Sequence, residues 1–343
     1  MKPRSTNSSP PGCCTLERER CPQGFGRRAR SLARLASLNM AAITPLLDSD
    51  LRLGRAVALI GAEEGKYPAG NSLLVVGADT SVLIDPSVSV FDRGGAPAAV
   101  DRILLSHAHE DHMAAVGLFP DAPVHAHHED LLGVHSLDGL MEMYGMTPQH
   151  DAVFRDVVLD EFHFTERPDA TGFADGDRFD LGGGLRVEVV HLPGHTRGHC
   201  GFLVEPDGVF FVADVDLSSF GPYYGDHWSD LEDFEAALAR CRQIDAKWYA
   251  TFHHKGIVEG RAGFLTALDA FEAVIARRER RLLDLLAEPR VLADIVAHRL
   301  VYRPGVDIMW ANEAESRTAQ RHLDRLLRDG QVQEIEPGRY RAA

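Results

Sequence analysis

The chain has few cysteines and no hydrophobic run that approaches the length of a membrane span. Five cysteines occur among 343 residues, and three of them, Cys13, Cys14 and Cys21, lie near the N-terminus. Only Cys200 and Cys241 remain for the rest of the chain, which excludes a disulfide framework and fits a reducing compartment. The start of the chain also has no clean apolar core of the length that a secretory signal needs. We therefore expect a cytoplasmic protein without a membrane span.

Basic residues are outnumbered by acidic ones. The chain has 36 Lys and Arg against 51 Asp and Glu, a net charge of −15. That balance argues against broad attraction to nucleic acid or to anionic lipid. The apolar fraction of 45% is ample for a packed core. A chain of this length predicts two domains, or one large domain with an appendage.

The first 39 residues differ from the rest. They contain eight basic residues against Glu17 and Glu19, a charge of +6 that leaves −21 for the remainder. Ser and Pro are frequent there and no sustained apolar face occurs, so we expect a disordered basic tail. Such a leader also resembles a transit peptide. Alternatively, Met40 is the true start of the protein.

The most informative run is Ser106-His107-Ala108-His109-Glu110-Asp111-His112, which follows the apolar stretch Ile103–Leu105. On an extended backbone, positions 107, 109 and 111 share a face because side chains alternate. A helical pattern over 111–119 then directs His112 to a neighbouring point. A structural zinc site would more often use cysteines, which this run does not contain. The spacing predicts an active site in which one turn helps to hold two metal ions.

Three later strand ends supply further ligands. His195 lies on the turn Pro193-Gly194-His195-Thr196 after one apolar strand, and Asp214 ends the strand Val209–Ala213. A third strand, from Lys247, ends in His253 and His254. Sites built on loops at strand ends are common in enzymes. Together with the first motif, these residues supply seven ligands for two metals.

These motifs in this order closely resemble the metallo-β-lactamase superfamily of hydrolases. The signature is His-x-His-x-Asp-His, then Pro-Gly-His-Thr-x-Gly-His, then a strand-end Asp and a final His, within about residues 50–285. The resemblance implies that His107, His109 and His195 hold one metal. It implies that Asp111, His112 and a late His hold the other, with Asp214 bridging.

Some positions have alternatives. The last ligand is His253 or His254. We slightly prefer His254, because Gly256-Ile257 then aligns with the apolar residue that usually follows the last ligand in the superfamily. Asp216 competes with Asp214, which we prefer because it follows the small Ala213 at the strand end. Asp111 has an alternative role as a helix N-cap. Among supporting residues, Asp85 is a candidate to anchor a ligand imidazole, and Thr196 and His199 are candidates to orient His195.

The ligand set predicts the chemistry. Imidazole and carboxylate suit two zinc ions best, with iron or manganese possible. Two such ions activate a shared water and polarise a carbonyl or phosphoryl oxygen. We expect a metal-bound hydroxide to be the nucleophile, with Asp111 or Asp214 as the catalytic carboxylate that steers the proton.

The middle of the chain alternates strands with helices. We therefore expect an α/β fold, the four-layer αββα sandwich that the resemblance also implies, over 40–286. The segment 129–146 is rich in methionine and predicts either a core-facing helix or an adaptable wall over the cleft. The predicted strands are 55–61, 71–77, 81–85, 101–105, 122–126, 185–192, 200–205, 208–213 and 247–252; the predicted helices are 111–119, 129–146, 231–243 and 263–286.

Residues 287–343 predict a separate small domain of two helices and a hairpin. This order resembles the winged-helix domain of lactamase-beta-2-like hydrolases, one of which is described as a ribonuclease. Candidate phosphate contacts are Arg317, Arg321, Arg325 and Arg328. Acidic residues are interleaved with them, so we favour packing or homodimerisation over nucleic-acid binding.

Three functions remain open on the sequence alone. The first is hydrolysis of a small ester, thioester or lactone by a dinuclear metal centre. The second is metal-dependent ribonuclease activity, which the resemblance of the C-terminal segment suggests. The third is a ligand-sensing or scaffold protein without catalysis, against which the intact ligand set argues.

Overall fold

Two large β-sheets pack face to face at the centre of the fold. The computed structural model describes residues 42–306 and 308–343, so the predictions for 1–39 lie outside the described residues. The first sheet has seven strands in the order β2-β3-β4-β5-β7-β8-β9, and the second has six in the order β10 to β15. The strands are β1 Ala42–Ile43, β2 Leu51–Leu53, β3 Ala56–Leu59, β4 Ser72–Val76, β5 Ser81–Ile84, β6 Gly95–Ala96, β7 Arg102–Leu104, β8 Val124–His127, β9 Thr171–Phe173, β10 Arg178–Gly182, β11 Leu185–His191, β12 Cys200–Glu205, β13 Val209–Ala213, β14 Trp248–Thr251, β15 Ile257–Glu259, β16 Arg290–Val291, β17 Val332–Glu336 and β18 Arg339–Ala342.

Alternation along the strands builds the layers. In β4, Leu73 and Val75 pack into the cluster between the two sheets, whereas Leu74 packs into the cluster on the outer face of the first sheet. Such strands have an apolar residue at every position because both faces are buried. Phe202 and Phe211 of the second sheet meet the first sheet in the inner cluster. The core thus has one layer between the sheets and one outside each of them.

Helices cover both outer faces, which confirms the predicted αββα architecture. Residues of α1 to α4 pack on the first sheet, and residues of α5 and α6 pack on the second. Among the described residues, no helix combines the length and the apolar composition that a membrane span requires. The helices are α1 Val88–Arg93, α2 Leu131–His135, α3 Leu137–Tyr144, α4 Pro148–Asp160, α5 Leu231–Cys241, α6 Arg261–Leu285, α7 Leu292–His298 and α8 Ala311–Arg328.

The prediction of an α-helix over 111–119 is wrong. The segment consists of successive turns, with only a short 3₁₀ helix at Val116–Leu118. Backbone N–H groups there bond three residues back, as in His112 to His109 and Met113 to Glu110. Because Asp111 does not begin an α-helix, its alternative role as an N-cap has no structural basis. Its carboxylate is available to the site.

The methionine-rich segment is two short helices that face the core. Leu140, Met141 and Met143 of α3 are buried in the cluster on the first sheet. The burial of these side chains supports a core-facing helix rather than an adaptable wall over the cleft. Helix α4, which the sequence analysis did not predict, follows directly and buries Phe154 and Val158.

The C-terminal segment has the predicted order of two helices and a hairpin. Helices α7 and α8 pack with the hairpin β17–β18 around a small core of their own that includes Leu323 and Leu326. Strand β16 adds a third strand beside β18. The described residues from 42 onwards nevertheless form one compact unit. The boundary at 286/287 and the winged-helix assignment remain predictions.

Candidate metal centre

The predicted ligands converge at one edge of the two sheets. Strand β7 runs parallel to β5, and its carboxyl end leads into the first histidine motif. Strand β14 runs parallel to β13, so His253 and Asp214 leave the second sheet side by side. Parallel strands bring their carboxyl ends to the same edge of a sheet, which explains how distant segments meet.

Three imidazoles form a first group of possible metal ligands. His107, His109 and His195 are buried and have ring nitrogens within 4.8 Å of one another. The Nε2 atom of His195 lies 3.1 Å from Nδ1 of His109. Three neutral imidazoles are a common ligand set for a divalent transition metal.

A second group lies beside the first. Asp111, His112 and His253 also place ligand atoms within 4.8 Å of one another. The Nε2 atom of His253 is 3.0 Å from Oδ2 of Asp111. A mixed imidazole and carboxylate set is again one that divalent metals accept.

Asp214 lies between the two groups. Its Oδ1 is 3.1 Å from Nε2 of His112, and its Oδ2 is 3.3 Å from Nε2 of His195. Asp216, the competitor two residues on, instead accepts a hydrogen bond from the backbone N–H of Ser218 at 2.9 Å. Asp214 is thus the carboxylate that reaches both groups.

Contacts on the opposite ring nitrogens fix the orientation of these imidazoles. His195 Nδ1 donates to the carbonyl of Tyr223 at 2.9 Å, and His253 Nδ1 donates to the carbonyl of Gly65 at 2.8 Å. His109 Nε2 lies 3.2 Å from Oδ2 of Asp226. Contacts of this kind hold a metal-ligating histidine in one tautomer and one ring orientation.

Asp85 has the anchoring role that its strand-end position suggested. It is fully buried, and its Oδ2 accepts from Nδ1 of His112 at 2.8 Å. The same oxygen accepts from the hydroxyl of Ser106 at 2.6 Å. Ser106 Oγ in turn accepts from Nδ1 of His107 at 2.9 Å. One carboxylate therefore orients a histidine of each group.

The atoms that face the space between these groups have unmet bonding capacity. Nε2 of His107, Nε2 of His112, Oδ2 of Asp111 and Oδ1 of Asp214 are buried and form no hydrogen bond of good geometry within the described ranges. The short contacts of His112 with Asp214 and of Asp111 with His253 bring ligand atoms together without hydrogen-bond geometry. Buried polar atoms without partners are costly and call for an explanation such as a bound ion. A pair of divalent cations fits this donor set.

Two of the three imidazoles in the first group have charge states that suit metal binding, whereas burial of His109 is outweighed by its contact with Asp226, which raises the pKa of that ring. Burial, with a contribution from the neighbouring His109, lowers the pKa of His195 to about 4. Burial likewise lowers the pKa of His107 well below its ordinary value, assisted by the nearby His112. Both rings are therefore neutral near pH 7 and present a lone pair, as a metal ligand must.

The family-level comparison covers the whole site. The family model described as the metallo-beta-lactamase superfamily matches residues 67–254. The chain belongs to the metallo-beta-lactamase superfamily. This confirms the resemblance drawn from the two histidine motifs.

Named relatives of this superfamily member include two kinds of hydrolase. An N-acyl homoserine lactonase, AttM, of Agrobacterium fabrum is 28% identical over 172 residues, 49% of this chain and 60% of that protein. A hydroxyacylglutathione hydrolase of Aeromonas salmonicida is 30% identical over 142 residues, 40% of this chain and 42% of that protein. The alignments thus span about half of each relative.

Solved structures support the fold beyond the matched family region. A metallo-beta-lactamase family protein from Thermus thermophilus has a TM-score of 0.61 at 21% identity and covers 83% of this chain and 97% of its own. A beta-lactamase domain protein from Burkholderia ambifaria has a TM-score of 0.61 at 18% identity and covers 87% of this chain and 95% of its own. At these identities the likeness shows the fold alone.

The slight preference for His254 does not agree with the geometry of this metallo-beta-lactamase superfamily chain. His253 is 7% exposed and lies in the second ligand group. The side chain of His254 is 40% exposed, and its Nε2 is 3.9 Å from Asp216 rather than near Asp214. The backbone of His254 is left-handed, with φ at 60°, so the chain turns directly after His253. That turn directs the two imidazoles to different places.

Two other sequence-based suggestions have different outcomes from those expected. His199 does not hydrogen-bond to His195; its Nδ1 donates to Leu192, and its Nε2 accepts from the N–H of Asp214 at 3.2 Å. Thr196 donates to Asp130 at 2.6 Å. His199 therefore positions the backbone of Asp214, and Thr196 ties the His195 turn to the start of α2.

Sequence reasoning did not find several groups around the centre. Asp226 and the Tyr223 carbonyl lie in an irregular loop without a motif. Glu110, inside the histidine motif, is 4% exposed and accepts a hydrogen bond from Tyr67 at 3.0 Å and another from Tyr144. Tyr144 also stacks on His109, with ring centroids 5.1 Å apart. The position of Glu110 between the ligands His109 and Asp111 was the sequence signal that could have indicated its role.

Replacing Asp85 by alanine is expected to weaken metal binding about 10–100-fold, because one ligand imidazole loses its anchor and another its serine link. Metal affinity measured by chelator competition tests this. Asp101→Ala is the matched control, because Asp101 also accepts from a serine N–H and hydroxyl but lies away from the site. Wild-type affinity in the Asp85 variant would contradict the anchoring role.

Proposed function

We propose that the chain is a hydrolase whose active site holds two divalent cations. His107, His109 and His195 would hold one, and Asp111, His112 and His253 the other, with Asp214 shared. The observation that carries this proposal is the pair of adjacent buried donor groups, together with four ligand atoms at this centre that form no hydrogen bond of good geometry among the described residues. Zinc is the preferred metal, with iron or manganese as alternatives.

The chain's own residues would orient and assist the reaction. Bound together, the cations would supply an activated water nucleophile at neutral pH and polarise the bond to be cleaved. Asp214 contacts a histidine of each group and would hold the two groups at a fixed separation. The carboxylates of Asp111 and Asp214 are the groups to which we assign acceptance of a proton from the attacking water, each through whichever oxygen does not ligate a cation.

Small esters, thioesters and lactones are the proposed substrates. The named relatives, a lactonase and a thioester hydrolase, support this class, although the alignments cover only part of each. Tyr67 and Tyr144 flank the site with their hydroxyls bonded to Glu110. Tyr144 is buried, and this burial, reinforced by the charge of Glu110, raises the pKa of its phenol well above the usual value. Tyr67 is 38% exposed and is the tyrosine that would present aromatic surface to a substrate.

A substrate panel tests this proposal. Protein prepared with zinc, with iron and with manganese would be assayed on acyl lactones, thioesters, simple esters, phosphodiesters and single-stranded RNA. We expect metal-dependent turnover of at least one carboxylic ester, thioester or lactone and none of RNA. Turnover confined to phosphodiesters, or none with any metal, would contradict the proposal.

The structure offers no support for the ribonuclease alternative. Arg317 and Arg321 of α8 donate to backbone carbonyls of the same protein. Arg325 pairs with Glu235 and Glu279, and Arg328 pairs with Glu232. All four candidate phosphate contacts thus have partners within the chain. The cytoplasmic location and a homodimer through 287–343 remain predictions.

A further inference from the structure

The loop 220–230, between β13 and α5, holds two of the first three imidazoles in place. The Tyr223 carbonyl accepts from His195 Nδ1, and Asp226 contacts His109 Nε2. Ser229 of the same loop donates from its hydroxyl to the backbone carbonyl of His195 at 2.7 Å. The loop contains no helix or strand, so its conformation depends on contacts from outside it.

Arg321 of the C-terminal helix α8 supplies three of those contacts. Its Nη1 donates to the carbonyl of Tyr224 at 3.0 Å, and its Nη2 donates to the carbonyls of Asp226 at 2.8 Å and Ser229 at 2.6 Å. The planar guanidinium presents several donors in a fixed arrangement, which suits a curved row of carbonyls. One side chain therefore fixes both ends of the segment that carries Asp226.

Other residues keep the helix and the loop close together. Arg317, one turn before Arg321, donates to the carbonyl of Gly225 at 3.3 Å. His322 Nε2 and the Tyr224 hydroxyl are 3.0 Å apart. A Cβ atom at Gly225 would lie 2.8 Å from the Cβ of Ala314, so only glycine permits this approach. The C-terminal helix is thus fitted to the loop along more than two turns.

The second ligand group has separate supports. His112 is anchored by Asp85, and His253 by the carbonyl of Gly65. Neither anchor belongs to the loop 220–230 or to α8. A disturbance of the loop should therefore reach the first group and leave the second.

We propose that Arg321 is a positioning residue for the metal centre: through the loop 220–230 it sets the orientation of His109 and His195. The C-terminal helix is then a structural part of the active site. This inference rests on the proposed function, because it concerns the affinity of the first ligand group for a cation.

Zinc titration of the metal-free protein tests the inference. In Arg321→Ala, we expect one of two zinc ions to bind about 10–100-fold more weakly, the usual consequence of losing an outer contact, and the other to bind as in the wild type. Arg328→Ala is the matched control, because Arg328 lies on the same helix and pairs with the exposed Glu232. It should leave both zinc affinities unchanged.

Two further variants keep the test decisive. Arg321→Lys retains the charge but places all of its N–H donors on one nitrogen, which cannot span the carbonyls that Nη1 and Nη2 of Arg321 reach separately; it should show the same selective loss. Asp226→Asn, in which the loop is intact, should weaken the same zinc ion. Thermal unfolding of each metal-free variant reports any general loss of stability.

The outcomes separate the two proposals. Wild-type affinity for both zinc ions in Arg321→Ala and Arg321→Lys would overturn the positioning role alone. Equal weakening of both ions, in step with a lower unfolding temperature, would also overturn it in favour of general stabilisation. A wild-type protein that binds no zinc, iron or manganese would instead contradict the proposed metal centre.

Discussion

Replacing His107 and His109 together by alanine is expected to abolish metal binding in the first group and, with it, hydrolysis. Only His195 of the three imidazoles would remain there, and the bridging Asp214 would lose the cation on one side. Enzymes typically accelerate their reactions by about 10⁶-fold or more, so loss of the centre should reduce turnover by about that factor. Elemental analysis and turnover of the best substrate in the panel measure the two effects.

A surface histidine provides the control for this double replacement. The side chain of His128 is 56% exposed and pairs with Glu129, outside both ligand groups. His128→Ala should retain full metal content and turnover. Full turnover in the His107/His109 double variant would refute the site.

The second large effect distinguishes two neighbouring histidines. His253→Ala should leave one cation per chain at concentrations that saturate the wild type, because the second group would retain only Asp111 and His112. His254→Ala should bind two, since His254 is directed towards Asp216. Metal stoichiometry by elemental analysis after dialysis decides between them.

The opposite pattern has a clear meaning. Loss of a cation in His254→Ala with full occupancy in His253→Ala would assign the last ligand to His254, as the apolar step after it suggested. It would also show that the 3.0 Å contact between His253 and Asp111 does not identify the second ligand group.

The strand-end ligands were predictable because their signal is local. Each of His107, His195 and Asp214 closely follows a strand rich in apolar residues, and such short runs bounded by turn residues are recognisable in a sequence. The αββα layers follow from the same strands and the helices between them. Asp85 was found in the same way, as a polar residue at the end of β5.

What the sequence did not predict depends on contacts that form only in the folded chain. The choice between His253 and His254 depends on a left-handed residue, which period-two alternation does not reveal. Asp226 lies in a loop and Arg321 in a helix 95 residues later, and the side chain of Arg321 donates to the carbonyl of Asp226. Pairing across such a distance leaves no pattern in one sequence.

Helix α4 illustrates a local signal that was available. Its apolar residues do not share one face, because Val153 and Leu159 are exposed whereas Phe154 and Val158 are buried. Proline at the start of a helix, as in Thr147-Pro148, is however a recognised initiation pattern. The segment 111–119 shows the opposite error. Its apolar spacing predicted a helix, but the segment consists of successive turns.

Anomalous diffraction at the zinc edge, on crystals grown with zinc, tests the central claim most directly. We expect two peaks about 3.5–4 Å apart, one bounded by His107, His109 and His195 and the other by Asp111, His112 and His253. Peaks elsewhere on the chain, or none between these side chains, would contradict the account.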